Sequence, residues 1–140
     1  MSARTKARKR ALDILFSAQL RGQSFTEALH EAEDQALAQP ARSSSFPYAR
    51  EIVDGFIAHR ASIDELLGEY SDSWTLDRMP AVDLAILRMA AWEILYNDDV
   101  PTAVSISEAG NFAAELSTDS SRRFVTGVLT SLSKAESSEL

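Results

Sequence analysis

An all-α fold, a compact bundle of about seven helices, is predicted by three features of the sequence. Apolar residues at helical 3,4 spacing run through nearly the whole chain. The alternating Val/Ile/Thr runs and Asn-Gly or Asp-Gly turns of a sheet protein are almost absent. Short stretches rich in Pro, Gly, Ser and Asp separate the periodic segments, as in a bundle of consecutive neighbours.

The elements follow in order. The first helix, roughly residues 4–21, places Leu12, Leu15, Phe16, Ala18 and Gln19 on or near one stripe, and Gly22 supplies a stop. Ser24 to Glu27 reads as a capping box opening a second helix, with Leu29, Ala32, Ala36 and Leu37 on one face and Pro40 at its end. The stretch PARSSSFP is loop-like. From about Pro47 to Tyr70 runs the longest predicted helix, carrying Ile52, Val53, Phe56, Ile63 and Leu67, with Pro47 at N1. Gly55 in its interior costs about 1 kcal/mol against Ala, which marks it as a candidate close crossing. Residues 73–79 read as a short helical turn. The segment PAVDLAILRMAAWEILYN is apolar on more than one side, the pattern of a central, buried helix. Another helix follows Pro101, with Val104, Ile106, Ala109, Phe112, Ala113 and Leu116, and a last one carries Phe124, Val125, Val128, Leu129 and Leu132. At 140 residues the chain reads as one domain, 1–140, with a basic arm at 1–10 and a frayed tail at 134–140.

There are no cysteines, which removes disulfides and thiolate metal sites. No apolar run is long enough for a transmembrane helix, and the basic start lacks the apolar region of a secretory signal. A cytoplasmic protein with no membrane partner is expected. The charge is uneven. Arg4, Lys6, Arg8, Lys9 and Arg10 place five cations in the first ten residues, while the other 130 carry nine basic and 21 acidic side chains. Such asymmetry suggests an arm for nucleic acid or an acidic surface. A merely solubilising end is the alternative that composition leaves open.

Catalytic chemistry finds no scaffold. The two histidines, His30 and His59, lie on separate predicted helices without metal-ligand spacing, and no phosphate-binding glycine loop or nucleophile elbow is present. Asp98 and Asp99 sit in a turn, where capping and solvation explain them. A binding protein, not an enzyme, with neither cofactor nor metal, is expected. For RNA, the arm offers phosphate contacts. Phe16, Tyr70 and Phe124 are candidate surfaces for splayed bases, with core packing as the alternative for each. Arg122 and Arg123, at an expected helix start, oppose the macrodipole and so suggest an anion nearby.

Four stretches together resemble the NusB family: ARKRALDILFSAQLRG, WTLDRMPAVDLAILRMAAWEIL, VPTAVSISEAGNFAAELSTD and RRFVTGVL. The resemblance covers nearly the whole chain. It implies two packed helical halves, no enzymatic activity and no cofactor. It also implies binding of single-stranded boxA RNA in ribosomal RNA leader transcripts, together with the ribosomal protein NusE. That complex helps RNA polymerase read through terminators. Position by position, it places Arg4, Lys6, Arg8 and Arg10 on RNA, with Lys9 in the same arm. Phe16, Tyr70 and Phe124 fall at aromatic positions of the RNA or partner surface, and Asp83 on the partner face. Some members of the family form homodimers. Thr126 stands where the family has Asn, and the loop 117–123 departs in length. The alternatives are a helical protein–protein module, and the NusB-like domain fused to ribosomal RNA methyltransferases, for which this chain has no room.

Overall fold

The computed structural model describes residues 2–72 and 74–138, which form eight helical segments: α1 Ala3–Arg21, α2 Phe25–Ala38, α3 Pro40–Ser43, α4 Phe46–Ala58, α5 Arg60–Tyr70, α6 Ala81–Tyr96, α7 Thr102–Leu116 and α8 Asp119–Ser138. Because α3 is a single turn, seven longer helices carry the fold, and no strand occurs among the described residues.

Local signals explain the starts and stops. Ser2 caps α1 by accepting from the Thr5 N–H, and Gly22 ends it in the left-handed conformation at φ 65°. Ser24 caps α2 by accepting from the Glu27 N–H at 3.1 Å. Residues 75–79 make one turn, in which the Thr75 carbonyl accepts from the N–H groups of Arg78 and Met79. Ser73 lies outside the described residues.

Three expectations need correction. The helix from Pro47 to Tyr70 is two helices with a corner at His59, which has φ −120° and ψ 21°. Ala58 to Ser62 are all exposed, so no core residue holds the chain straight there. Leu37 leaves the inward face of α2 and is 76 % exposed. PARSSSFP is not all loop, because Pro40 starts α3 at N1. α8 is described through Ser138, and residues 139–140 lie outside the described residues.

The helices pack as two halves. α1 packs on α2 and α4, with α3 against α2 and α4; α6 and α8 pack on each other and on both α5 and α7; and the halves meet where α6 lies on α1 and α4. Every residue from Asp83 to Glu93 is buried, which makes α6 the axis of the core. Each such Leu or Ile contributes about 1.5–3 kcal/mol by burial, so this helix carries more of the hydrophobic stabilisation than its length alone suggests. Gly55 marks the close crossing of α4 and α6. A Cβ there would stand 1.9 Å from Trp92 Nε1. A partly buried ion pair adds a second tie. Arg88 holds Asp64 with two hydrogen bonds of 3.0 and 2.9 Å, reaches Gln19 at 3.2 Å, and lies against the rings of Phe25 and Phe56. α5, α6 and α1 are thereby joined. No described helix is long and apolar enough to cross a membrane.

Candidate nucleic-acid interface

The basic arm is not a tail but the first turns of α1. Helix geometry therefore sorts its cations. Residues three and four apart share a face, so Thr5, Arg8, Leu12 and Leu15 all turn inward. Arg8 is only 3 % exposed. Its Nε donates to both carboxylate oxygens of Glu93, at 3.0 and 2.9 Å, and its Nη1 donates to Glu108 at 2.7 Å. Burial works against the guanidinium charge, but the hydrogen bond to Glu93 and the charges of Glu93 and Glu108 outweigh it and raise its pKa further. The expectation that Arg8 is a surface RNA contact is corrected: its guanidinium closes an internal network.

That network is fully partnered at Glu93, which is completely buried. Tyr48 donates to Glu93 Oε2 at 2.5 Å and Ser105 donates to Oε1 at 2.6 Å. Asn97 donates to the Tyr48 hydroxyl at 3.0 Å, and Thr5 donates to Glu108. Burial, then the hydrogen bond and charge of Glu93, push the Tyr48 hydroxyl above the usual tyrosine range. α1 is thus fastened to α4, α6 and α7 at its basic end.

What remains outward is a short cationic surface. Arg4 is exposed, its guanidinium 4.3 Å from the centre of the Tyr48 ring. Lys6 is exposed. Lys9 is half-buried and pairs with Asp13 at 2.9 Å in an i,i+4 bridge. Arg10 is half-buried and donates to Ser45. Phe16 is half-buried against the core, with part of its ring at the surface.

Tyr70, Arg123 and Phe124 come together elsewhere. They line a groove of about 310 Å³ between the end of α5 and the outer face of α8. Asp72, in the left-handed region at φ 45°, turns the chain at its mouth. Tyr70 and Phe124 are each half-buried, with one side on the core. Trp74, which the sequence reading did not single out, meets Phe124 edge-on at 5.0 Å and is 38 % exposed. No periodic signal pointed to it, because α5 ends at Tyr70 and Asp72 turns the chain between Tyr70 and Trp74. Arg122 and Arg123 are both exposed in the first turns of α8.

Asp83 does not reach the surface. It is completely buried in the first turn of α6, where the helix N-terminus favours a carboxylate. Ser121 donates to its Oδ2 at 2.8 Å. Ser121 also bonds with Ser117 and Thr118, so Asp83 anchors the loop between α7 and α8.

Comparison with known proteins gives a consistent picture. A family model described as the NusB family matches residues 5–134. The chain is 57 % identical over 129 residues to the transcription antitermination protein NusB of Clavibacter michiganensis subsp. michiganensis (strain NCPPB 382), covering 92 % of this chain and 94 % of that one. It is 54 % identical over 136 residues to the protein of the same name from Clavibacter sepedonicus, covering 97 % and 99 %. Among solved structures it is similar to T. maritima NusB, with TM-score 0.81 and 30 % identity over 100 % of this chain and 99 % of that one. A chain in a structure of antitermination factors NusB and NusE with double-stranded RNA shares the fold, with TM-score 0.82 and 23 % identity over 96 % and 98 %.

Proposed function

The chain belongs to the NusB family, and from that membership we propose that it is a non-enzymatic, cytoplasmic transcription antitermination factor. It binds single-stranded boxA RNA of ribosomal RNA leaders together with NusE, and so helps RNA polymerase read through terminators. The observation that carries the RNA part is the pairing of two surfaces: the outward cations of α1 (Arg4, Lys6 and Lys9, flanked by Arg10) and the groove where Tyr70, Phe124 and Arg123 meet. Cations hold phosphates without reading sequence, while half-exposed rings offer faces for unstacked bases. A fold-related chain has been solved with NusE and RNA, which supports the same assembly here. The acidic remainder of the chain, with 21 carboxylates against nine cations, suits a basic ribosomal partner and disfavours RNA away from the two surfaces. Arg8 and Asp83 act from inside in this reading: Arg8 sets the arm, and Asp83 sets the loop 117–121.

A titration of labelled boxA RNA with and without NusE, at two salt concentrations, tests the proposal. Binding should tighten with NusE and weaken steeply with salt. Binding to RNA lacking boxA with equal affinity under all four conditions would contradict it.

A further inference from the structure

The cations at the start of α1 are held in different ways. Arg8 gives its N–H groups to Glu93 and Glu108, Lys9 pairs with Asp13, and Arg10 donates to Ser45. Arg4 is held by a ring instead. Its guanidinium carbon lies 4.3 Å from the centre of the Tyr48 ring, and among the described residues no carboxylate forms an ion pair with it. A cation over an aromatic face is attracted by the ring quadrupole and needs no oxygen acceptor. The N–H donors of Arg4 therefore remain for a phosphate or a base edge.

The ring beneath Arg4 is itself fixed. Tyr48 stands in the first turn of α4, half-buried, packed against the core and 6.4 Å from the Trp92 ring. At its far end the hydroxyl donates to Glu93 and accepts from Asn97 at 3.0 Å. Glu93 and Asn97 are both buried, so water does not compete for these bonds. A long side chain that is free in solution must surrender rotamer freedom when it grips a ligand. On a fixed ring, Arg4 has surrendered part of that freedom before any ligand arrives.

We propose that Tyr48 is a positioning residue for RNA binding: its ring, held by the core and by Glu93 and Asn97, presents the Arg4 guanidinium in place with its donors uncommitted. This role rests on the RNA-binding reading above, and it adds a residue that acts on RNA only through Arg4. Loss of the ring leaves the phosphate contact of Arg4 possible but makes RNA order the side chain, so affinity falls while the number of counterions released stays the same. Loss of Arg4 removes the contact and its counterion together.

The test titrates labelled single-stranded boxA RNA in fluorescence anisotropy, over a range of salt and with NusE present, against the full chain carrying Tyr48→Leu, Tyr48→Phe, Arg4→Ala or Tyr48→Leu with Arg4→Ala. Tyr48→Leu should weaken binding about two- to tenfold, the cost of ordering one long side chain, with the logarithmic salt slope unchanged. Arg4→Ala should weaken binding and make the slope shallower by about 0.7. In the double variant, Tyr48→Leu should add nothing to the loss from Arg4→Ala. Tyr48→Phe lacks the same hydroxyl bonds but keeps a ring face, so it should retain most of the affinity. If Tyr48→Phe falls as far as Tyr48→Leu, or Tyr48→Leu weakens binding equally in the Arg4→Ala background, the effect runs through the buried network and the positioning role is overturned. Should Tyr48→Leu fail to fold, nitrogen-15 relaxation at the Arg4 Nε–H of the wild-type chain decides: Arg4 should be more ordered than the exposed Arg78, and equal mobility overturns the role. If Arg4→Ala binds as the wild type does, or the wild type binds no boxA RNA with or without NusE, the RNA reading of Arg4 itself falls, and the role of Tyr48 with it.

Discussion

Arg4 and Arg8 are one helical turn apart on α1, yet one faces water and the other is surrounded by two carboxylates and a tyrosine. The difference was partly legible: Arg8, Leu12 and Leu15 keep the 4,3 spacing of an inward stripe, which marks Arg8 as part of the buried face. Composition hid this, because a run of cations suggests a surface uniformly basic. The energetic consequence is large. Removing one partner of a buried ion pair leaves the other charge unpaired, so Arg8→Ala should lower stability by about 3–5 kcal/mol. Arg4→Ala, which loses the contact with the Tyr48 ring, should change it by no more than about 1 kcal/mol, and Lys6→Ala by no more than about 0.5 kcal/mol. Urea denaturation of the three variants checks this, and equal stability of all three would refute the buried role of Arg8. Tyr48 adds a pH dependence. Its pKa is raised in the folded chain above the unfolded value of about 10, so the unfolded state loses its proton first. The stability tied to this hydroxyl is full below about pH 10 and falls as pH rises beyond it. Tyr48→Phe should flatten that alkaline decline in thermal melts; an unaltered decline would assign it to other groups. Asp83 shows what residue type cannot reveal: a carboxylate in an otherwise apolar stretch reads equally as a partner contact or as a buried loop anchor, and only the packing of Ser121 against it decides.

At the scale of elements, the helices were legible because periodicity reports which face is buried. It does not report where a helix axis turns. The corner at His59 leaves the stripe of Phe56, Ile63 and Leu67 intact, so two helices look like one. Gly55 was the better signal, since a glycine in a helix interior is costly unless something needs the space. Trp92 needs it. Gly55→Ala should destabilise by about 1–3 kcal/mol through overpacking. Gly68→Ala, at an exposed position of α5 with nothing within 4 Å of the added Cβ, should stabilise by about 0.4–1 kcal/mol. Paired thermal melts of the two variants distinguish a close crossing from general helix propensity. If Gly55→Ala also stabilised the protein, the contact with Trp92 would be refuted. The groove between α5 and α8 was half legible. Tyr70 and Phe124 were visible as aromatics, but that they share one groove with Arg123 and meet Trp74 depends on the α5–α8 contact, which links residues more than fifty positions apart.

For the whole molecule, charge placement links fold to function. In the proposed function, an acidic body limits RNA to the places where cations project, and the fold decides which cations those are. By this account RNA meets Arg4 and Lys6 directly, while Arg8 contributes only by holding α1 in place. The most direct measurement is the salt dependence of boxA RNA binding by the wild-type chain and by the Arg4→Ala/Lys6→Ala double variant. Two lost phosphate contacts should weaken binding and make the logarithmic slope shallower by about 1.4, with the melting temperature unchanged. An unchanged slope and affinity in a folded double variant would show that the basic end of α1 does not hold RNA.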